Sequence, residues 1–81
     1  MNVTVLLFAK PRELVGAGRL DLDVDEGATP DALFADLCAE HPDLGSTRDH
    51  LRVAVDQGYA AWDTPLHAGA EVAFIPPTAG G

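Results

Sequence analysis

Residues 2–9 read NVTVLLFA. β-branched residues lead into a continuous apolar run, the pattern of a strand covered on at least one face. Lys10-Pro11 ends it. Residues 12–18, RELVGAG, read as a loop or one helical turn closed by glycines. Residues 19–25, RLDLDVD, then alternate strictly. Leu20, Leu22 and Val24 point one way, and Arg19, Asp21, Asp23 and Asp25 the other. That is a half-buried strand with a solvated face. The two strands are expected to pair as a hairpin across a long loop.

Working outward, Thr29-Pro30-Asp31 opens a helix. Thr29 suits the cap, Pro30 the first helical position, and Asp31 the positive end of the helix dipole. Leu33, Phe34, Leu37, Cys38 and His41 follow at helical spacing on one face, and Pro42 stops the helix. Cys38 reads as a small core residue of that face. Residues 43–50 are polar and irregular. Residues 51–55, LRVAV, alternate again as a strand, Asp56-Gln57-Gly58 is a turn, and residues 59–63 hold a short strand. After a turn region over residues 64–69, Glu71–Ile75 (EVAFI) is the last strand, stopped by Pro76-Pro77.

The order is β-β-α-β-(β)-β with one main helix. That helix must bury its apolar stripe against one sheet face. The first and last strands are the most apolar, so both belong inside the sheet. The expected class is α+β, a ubiquitin-like β-grasp: a mixed sheet of four to five strands with one helix on one face. Residues 1–75 form the domain and residues 76–81 a flexible tail.

A chain of 81 residues is one domain, burying only about 60–65% of its unfolded surface. Such a thin core leaves little room for an enclosed active site. Hydrophobic residues make up 47% of the chain, enough to fold without staples. One cysteine excludes an internal disulfide and a cysteine-based metal site, which fits a reducing compartment. No signal peptide is visible, and no run approaches the ~20 apolar residues of a membrane span. A cytoplasmic protein without membrane contact is expected. Thirteen acids against five bases give a net charge of −8. Phosphate backbones repel such a surface, so no nucleic acid is expected as a partner. A basic protein face is attracted to it.

The body shows no catalytic constellation. No glycine-rich loop joins a strand to a helix, so no nucleotide pocket is supported. His41, His50 and His67 lack metal-ligand spacing, and no metal site is expected. Asp21, Asp23 and Asp25 sit on a solvated strand face, where carboxylates are surface charge rather than an acid–base pair.

The last six residues, PPTAGG, differ from everything before them. Pro76 and Pro77 stiffen the exit from the sheet. Thr78 and Ala79 are small, and Gly80 and Gly81 have no side chains. Extended, six residues reach roughly 20 Å and thread a channel closed to larger side chains. The reactive group at the tip is the Gly81 α-carboxylate. ATP converts a carboxylate to an acyl-adenylate; persulfide attack and release then leave a thiocarboxylate, a sulfur donor.

Both ends carry a family likeness. Residues 6–16, LLFAKPRELVG, and residues 69–77, GAEVAFIPP, followed by Ala79-Gly80-Gly81, resemble the MoaD-type sulfur carriers. These are small subunits of molybdopterin synthase, in the MoaD/ThiS ubiquitin-like family. Val53-Ala54-Val55 and Asp63-Thr64-Pro65-Leu66 fit as well. The chain departs from the family at Asp56, commonly Asn, at Ala70, commonly Asp, and at Thr78, often Val.

The resemblance implies a sulfur carrier for molybdenum cofactor biosynthesis. A ubiquitin-activating-type enzyme adenylates Gly81, beside Gly80, and a sulfurtransferase or cysteine desulfurase supplies sulfur. The large synthase subunit then takes up the tail, and the thiocarboxylate attacks a cyclic pterin precursor. ATP, zinc and the pterin belong to the partners, so this chain is expected to bind no cofactor. Phe74, and after it Phe8, are candidates for partner contact, with ordinary core packing an equal reading for each, and Pro76, Pro77, Thr78 and Ala79 are expected in the partner's channel. The competing readings are a carrier for thiamine, cysteine or tRNA thiolation, a modifier joined to lysines through Gly81, and a plain binding module.

Overall fold

The computed structural model describes residues 1–77. Five strands, β1 (Asn2–Leu7), β2 (Arg19–Asp23), β3 (Arg52–Val55), β4 (Gly58–Ala60) and β5 (Glu71–Ile75), form one sheet in the order β2-β1-β5-β3-β4. The β1–β5 pair is parallel and the other pairs are antiparallel. The two most apolar strands are therefore interior, as expected, and β5 holds the centre.

Strand parity sorts the side chains. Val3, Val5 and Leu7 of β1 face the core, and the register sets Val5 beside Val72 and Leu7 beside Phe74. Val53 of β3 completes the row from the other side of Phe74. Leu20 and Leu22 extend it onto β2, whose Arg19, Asp21 and Asp23 stay exposed. The main helix packs on this face. In α2 (Pro30–Glu40), Leu33, Phe34 and Leu37 are buried. The Thr29 hydroxyl accepts the Ala32 N–H at 3.2 Å, which satisfies one of the first-turn donors. At the other end the His41 N–H reaches the Leu37 carbonyl at 2.8 Å before Pro42. Cys38 lies half-buried at the margin of the core, where burial pushes its thiol pKa up, against a weaker opposing pull from Arg48.

The aromatic residues knot the core. Phe34 meets Phe74 edge-on at 5.2 Å and Trp62 at 5.5 Å, while Trp62 stacks on Phe74 at 5.5 Å. Arg48 covers the outer face of this knot, 4.0 Å from the Trp62 ring centre, and pairs with Asp31 at 2.8 Å.

Two segments differ from their sequence reading. Residues 9–15 form a seven-residue helix, α1 (Ala9–Val15), longer and earlier than the loop or single helical turn expected over residues 12–18. Pro11 does not break it because the first-turn N–H groups need no intrahelical partner. Gly16, at φ 86°, ends it by donating to the Arg12 carbonyl at 2.8 Å. Residues 42–50 are a 3₁₀ helix, Pro42–His50, not an irregular loop. Leu44 anchors it with 0% exposure, and the Ser46 and Thr47 hydroxyls bond back to the Asp43 and Leu44 carbonyls at 2.9 and 2.7 Å.

Candidate functional site: the open sheet face and the exit of β5

Among the described residues, no helix lies over the sheet face opposite α2. Outward parity places Glu71, Ala73 and Ile75 of β5 there, beside Ala54 of β3. The register pairs Ala54 with Ala73, so two small side chains make a low floor. Phe8, Tyr59, Gln57, Glu71 and Ile75 stand around it, enclosing a shallow groove of about 290 Å³. Phe8 is 43% and Tyr59 74% exposed, the two large apolar side chains most open to solvent among the described residues. An aromatic rim over an apolar floor is the composition of a contact surface.

Phe8 reaches this rim through a backbone reversal. Phe8 itself is extended, at φ −134° and ψ 156°, and Ala9 follows at φ 50°. The chain thus leaves β1 for α1 without carrying Phe8 into the core. Phe74 was the firmer expectation for partner contact, and its position corrects that. Its side chain is 0% exposed, held between Phe34 and Trp62. Inward parity forbids it any part in the surface, and its neighbour Ile75 supplies the outward contact.

Pro76 and Pro77 follow β5 directly, Pro76 half-buried and Pro77 exposed. Neither has an N–H for the ladder, so strand pairing stops at the groove's edge. Thr78, Ala79, Gly80 and Gly81 lie outside the described residues.

One polar cluster borders the groove. The Asp56 carboxylate accepts the Glu71 N–H at 3.0 Å and pairs with His67 Nε2 at 2.6 Å, while His67 Nδ1 faces the Ala68 carbonyl at 2.8 Å. The Glu71 N–H, followed by His67, holds the Asp56 carboxyl below its ordinary pKa. Asp56, followed by the Ala68 carbonyl, raises that of His67. Eleven residues separate the pair, and no spacing rule joins them. Tyr59 and the alanine floor were equally unmarked in the sequence, because the apolar run of residues 72–75 shows no alternation that would set Ala73 apart. Among the described residues, no cluster of three or more His, Cys, Asp or Glu could hold a metal ion. No helix there is long and apolar enough to cross a membrane.

A five-stranded mixed sheet gripping one main helix, with its central strand running out beside an open apolar face, defines a ubiquitin-like β-grasp protein. The ThiS family model matches residues 5–81. The chain is 37% identical over 83 residues to the molybdopterin synthase sulfur carrier subunit of Chlamydomonas reinhardtii, covering 100% of both. It is 38% identical over 81 residues to the same subunit of Escherichia coli, covering 98% of this chain and 99% of that one. Among solved structures, SAMP1 from Haloferax volcanii superposes with a TM-score of 0.85 at 31% identity, over 100% of both chains. A second structure of that small archaeal modifier protein 1 gives 0.84 at 30%, over 95% and 98%. The complex of subunits 1 and 2 of the molybdopterin-converting factor from Helicobacter pylori gives 0.69 at 20%, over 100% of both chains, a likeness of fold. The chain belongs to the ThiS family.

Proposed function

We propose that this chain is the sulfur carrier subunit of a molybdopterin synthase and works in the cytoplasm. The observation that carries the reading is the length of the match. It spans whole relatives bearing that name, and the family model runs through residue 81 and so includes Gly80-Gly81.

In this reading the Gly81 carboxylate attacks the α-phosphorus of ATP on a ubiquitin-activating-type enzyme, releasing pyrophosphate and forming an acyl-adenylate. A persulfide sulfur from a sulfurtransferase or cysteine desulfurase displaces AMP. Reductive cleavage of the resulting acyl disulfide by a thiol leaves the thiocarboxylate. The large synthase subunit then receives the tail, and the thiocarboxylate sulfur attacks the pterin precursor. The chain's own contribution is recognition and presentation. Phe8, Tyr59 and Ile75 give the large subunit an apolar seat beside the exit of β5. Pro76 and Pro77 aim the tail, and Thr78, Ala79 and Gly80 keep it narrow enough for a channel. ATP and zinc are held by partners.

The test is intact mass. Incubation with ATP, the activating enzyme and a sulfur source should raise the mass by the difference between sulfur and oxygen, localised to Gly81. A chain lacking Gly81 should not gain it. No gain with an activating enzyme that releases pyrophosphate would refute sulfur carriage.

The likeness to small archaeal modifier protein 1 favours a second reading, in which activated Gly81 forms an isopeptide bond with a target lysine. Both share the adenylate and part at the nucleophile. A ladder of adducts on cell proteins, absent when Gly81 is deleted, would support the second; molybdopterin formed with the large subunit supports the first.

A further inference from the structure

The β3–β4 turn has one residue, Gln57, poorly suited to its place. Asp56 at φ 51° and Gln57 at φ 72° both occupy the left-handed region, the signature of a two-residue type I′ hairpin. Aspartate tolerates that region at the first position, but Gln57 stands where such a turn favours glycine. Outside contacts must hold the turn.

Those contacts run to Glu71, the first residue of β5, and to His67 in the segment before it. The Asp56 N–H donates to the Glu71 carbonyl at 2.8 Å, and the Asp56 carboxylate accepts the Glu71 N–H at 3.0 Å. The side chain thus continues the β3–β5 ladder where the backbone has turned away. The second carboxylate oxygen meets His67 Nε2, and His67 Nδ1 meets the Ala68 carbonyl. Both ring nitrogens face acceptors. Only the doubly protonated imidazolium donates from both. A neutral ring must turn a lone pair toward either the carboxylate or the carbonyl.

We propose that His67 is a positioning residue: as an imidazolium it straps the β3–β4 turn to the start of β5 and fixes the polar wall of the open-face groove. Gln57 and Glu71 form that wall. One follows Asp56 in the chain, and the other is bonded to it twice. The charged group facing His67 from the turn is Asp56. Glu71, from β5, enters the cluster through its backbone. The raised pKa of His67 and the lowered one of Asp56 agree with the geometry. The wall therefore holds while His67 is protonated and loosens as pH rises through its pKa. The proposal rests on the groove being the partner seat only for its consequence, a partner affinity that falls on the alkaline side.

The experiment reads the strap itself, by nitrogen-15 NMR of the intact chain across a pH series. The His67 ring should titrate above the ordinary histidine value of about 6.5. The Gln57 and Glu71 amides should shift with the same midpoint, and Glu71 amide exchange, corrected for its intrinsic pH dependence, should quicken several-fold. The decisive variant is Asp56→Asn. Its side-chain oxygen still accepts the Glu71 N–H, while its amide donates to a neutral imidazole. The strap then persists without a charge, so the His67 midpoint should fall and the coupled Glu71 change should vanish. Amides of Gln57 and Glu71 that ignore the His67 titration would overturn the proposal. So would a His67 midpoint unmoved in Asp56→Asn. If the strap titrates as described and affinity for the large subunit stays flat with pH, the strap stands and the partner seat lies elsewhere.

Discussion

Phe74→Ala and Phe8→Ala should separate core from surface. The two rings belong to neighbouring strand ends, since Leu7 pairs with Phe74 and Phe8 follows Leu7. Phe74 is wholly buried, edge-on to Phe34 and stacked on Trp62. Truncating such a ring costs about 3–5 kcal/mol in transfer and cavity terms, and part of that is the aromatic contacts, worth about 0.5–1.5 kcal/mol each. An 81-residue domain has a total stability of only about 4–12 kcal/mol. The variant should therefore lose about a quarter or more of its stability, and its Tm should fall by about 12–40 °C. Phe8→Ala removes a ring already 43% exposed and should cost under about 1 kcal/mol. It should weaken binding to the large synthase subunit about tenfold, the effect of losing an aromatic anchor. Urea denaturation followed by circular dichroism measures the first quantity, and titration calorimetry with the large subunit the second. Trp62 fluorescence serves as a local check, because its stacking partner is lost in one variant and kept in the other. If Phe74→Ala loses under ~1 kcal/mol and its main defect is partner binding, the assignment of Phe74 to the core is refuted.

Thr29→Ala should destabilise the chain by about 1 kcal/mol, read from the denaturation midpoint, because the Ala32 N–H loses its cap. Gln57→Gly should stabilise it by about 0.5 kcal/mol, the relief of left-handed strain exceeding the added unfolded-state entropy. A destabilised variant would mean that the Gln57 side chain holds the turn. Stability should also depend on pH through the Asp56–His67 pair. The folded-state pKa of His67 is raised, so its contribution is full below the unfolded value of about 6.5 and is lost as pH rises through the folded one. The folded-state pKa of Asp56 is lowered, so its contribution is present above about 3.9 and is lost as pH falls through the folded one. Thermal melts should show the pair's contribution between those limits, and His67→Ala should flatten the alkaline side.

The legible parts of the fold were those with one strong local signal. RLDLDVD declares its parity because aspartate alternates with aliphatic residues, and β2 follows it through Asp23. Thr29-Pro30-Asp31 carries three independent start signals, and α2 begins at Pro30. Where signals conflicted, the reading failed. Lys10-Pro11 reads as the end of β1, and the strand does stop before it, but α1 begins ahead of Pro11 and holds it in its first turn. Pro42–His50 offers one apolar side chain, Leu44, and that residue's burial is a tertiary fact. In EVAFI the apolar residues 72–75 run together, so core packing and partner contact both fit Phe74 in sequence; the aromatic knot decides for the core. At the candidate site, the prolines and the Gly-Gly ending were visible in sequence. The groove was not, because Phe8, Ala54, Tyr59 and Ile75 come from four parts of the chain and meet only through sheet order.

The central place of β5 has a mechanical consequence. A partner that draws the tail into its channel pulls on Pro76, and the load passes straight into β5. That strand is bonded on both sides, in parallel to β1 and antiparallel to β3. Traction along it shears both ladders at once and does not peel one strand from an edge. Were the tail attached to β4, the same pull would unzip a three-residue edge strand bond by bond. The domain is a grip whose handle is fastened to its doubly paired central strand, so a pull on the tail is resisted by two ladders together.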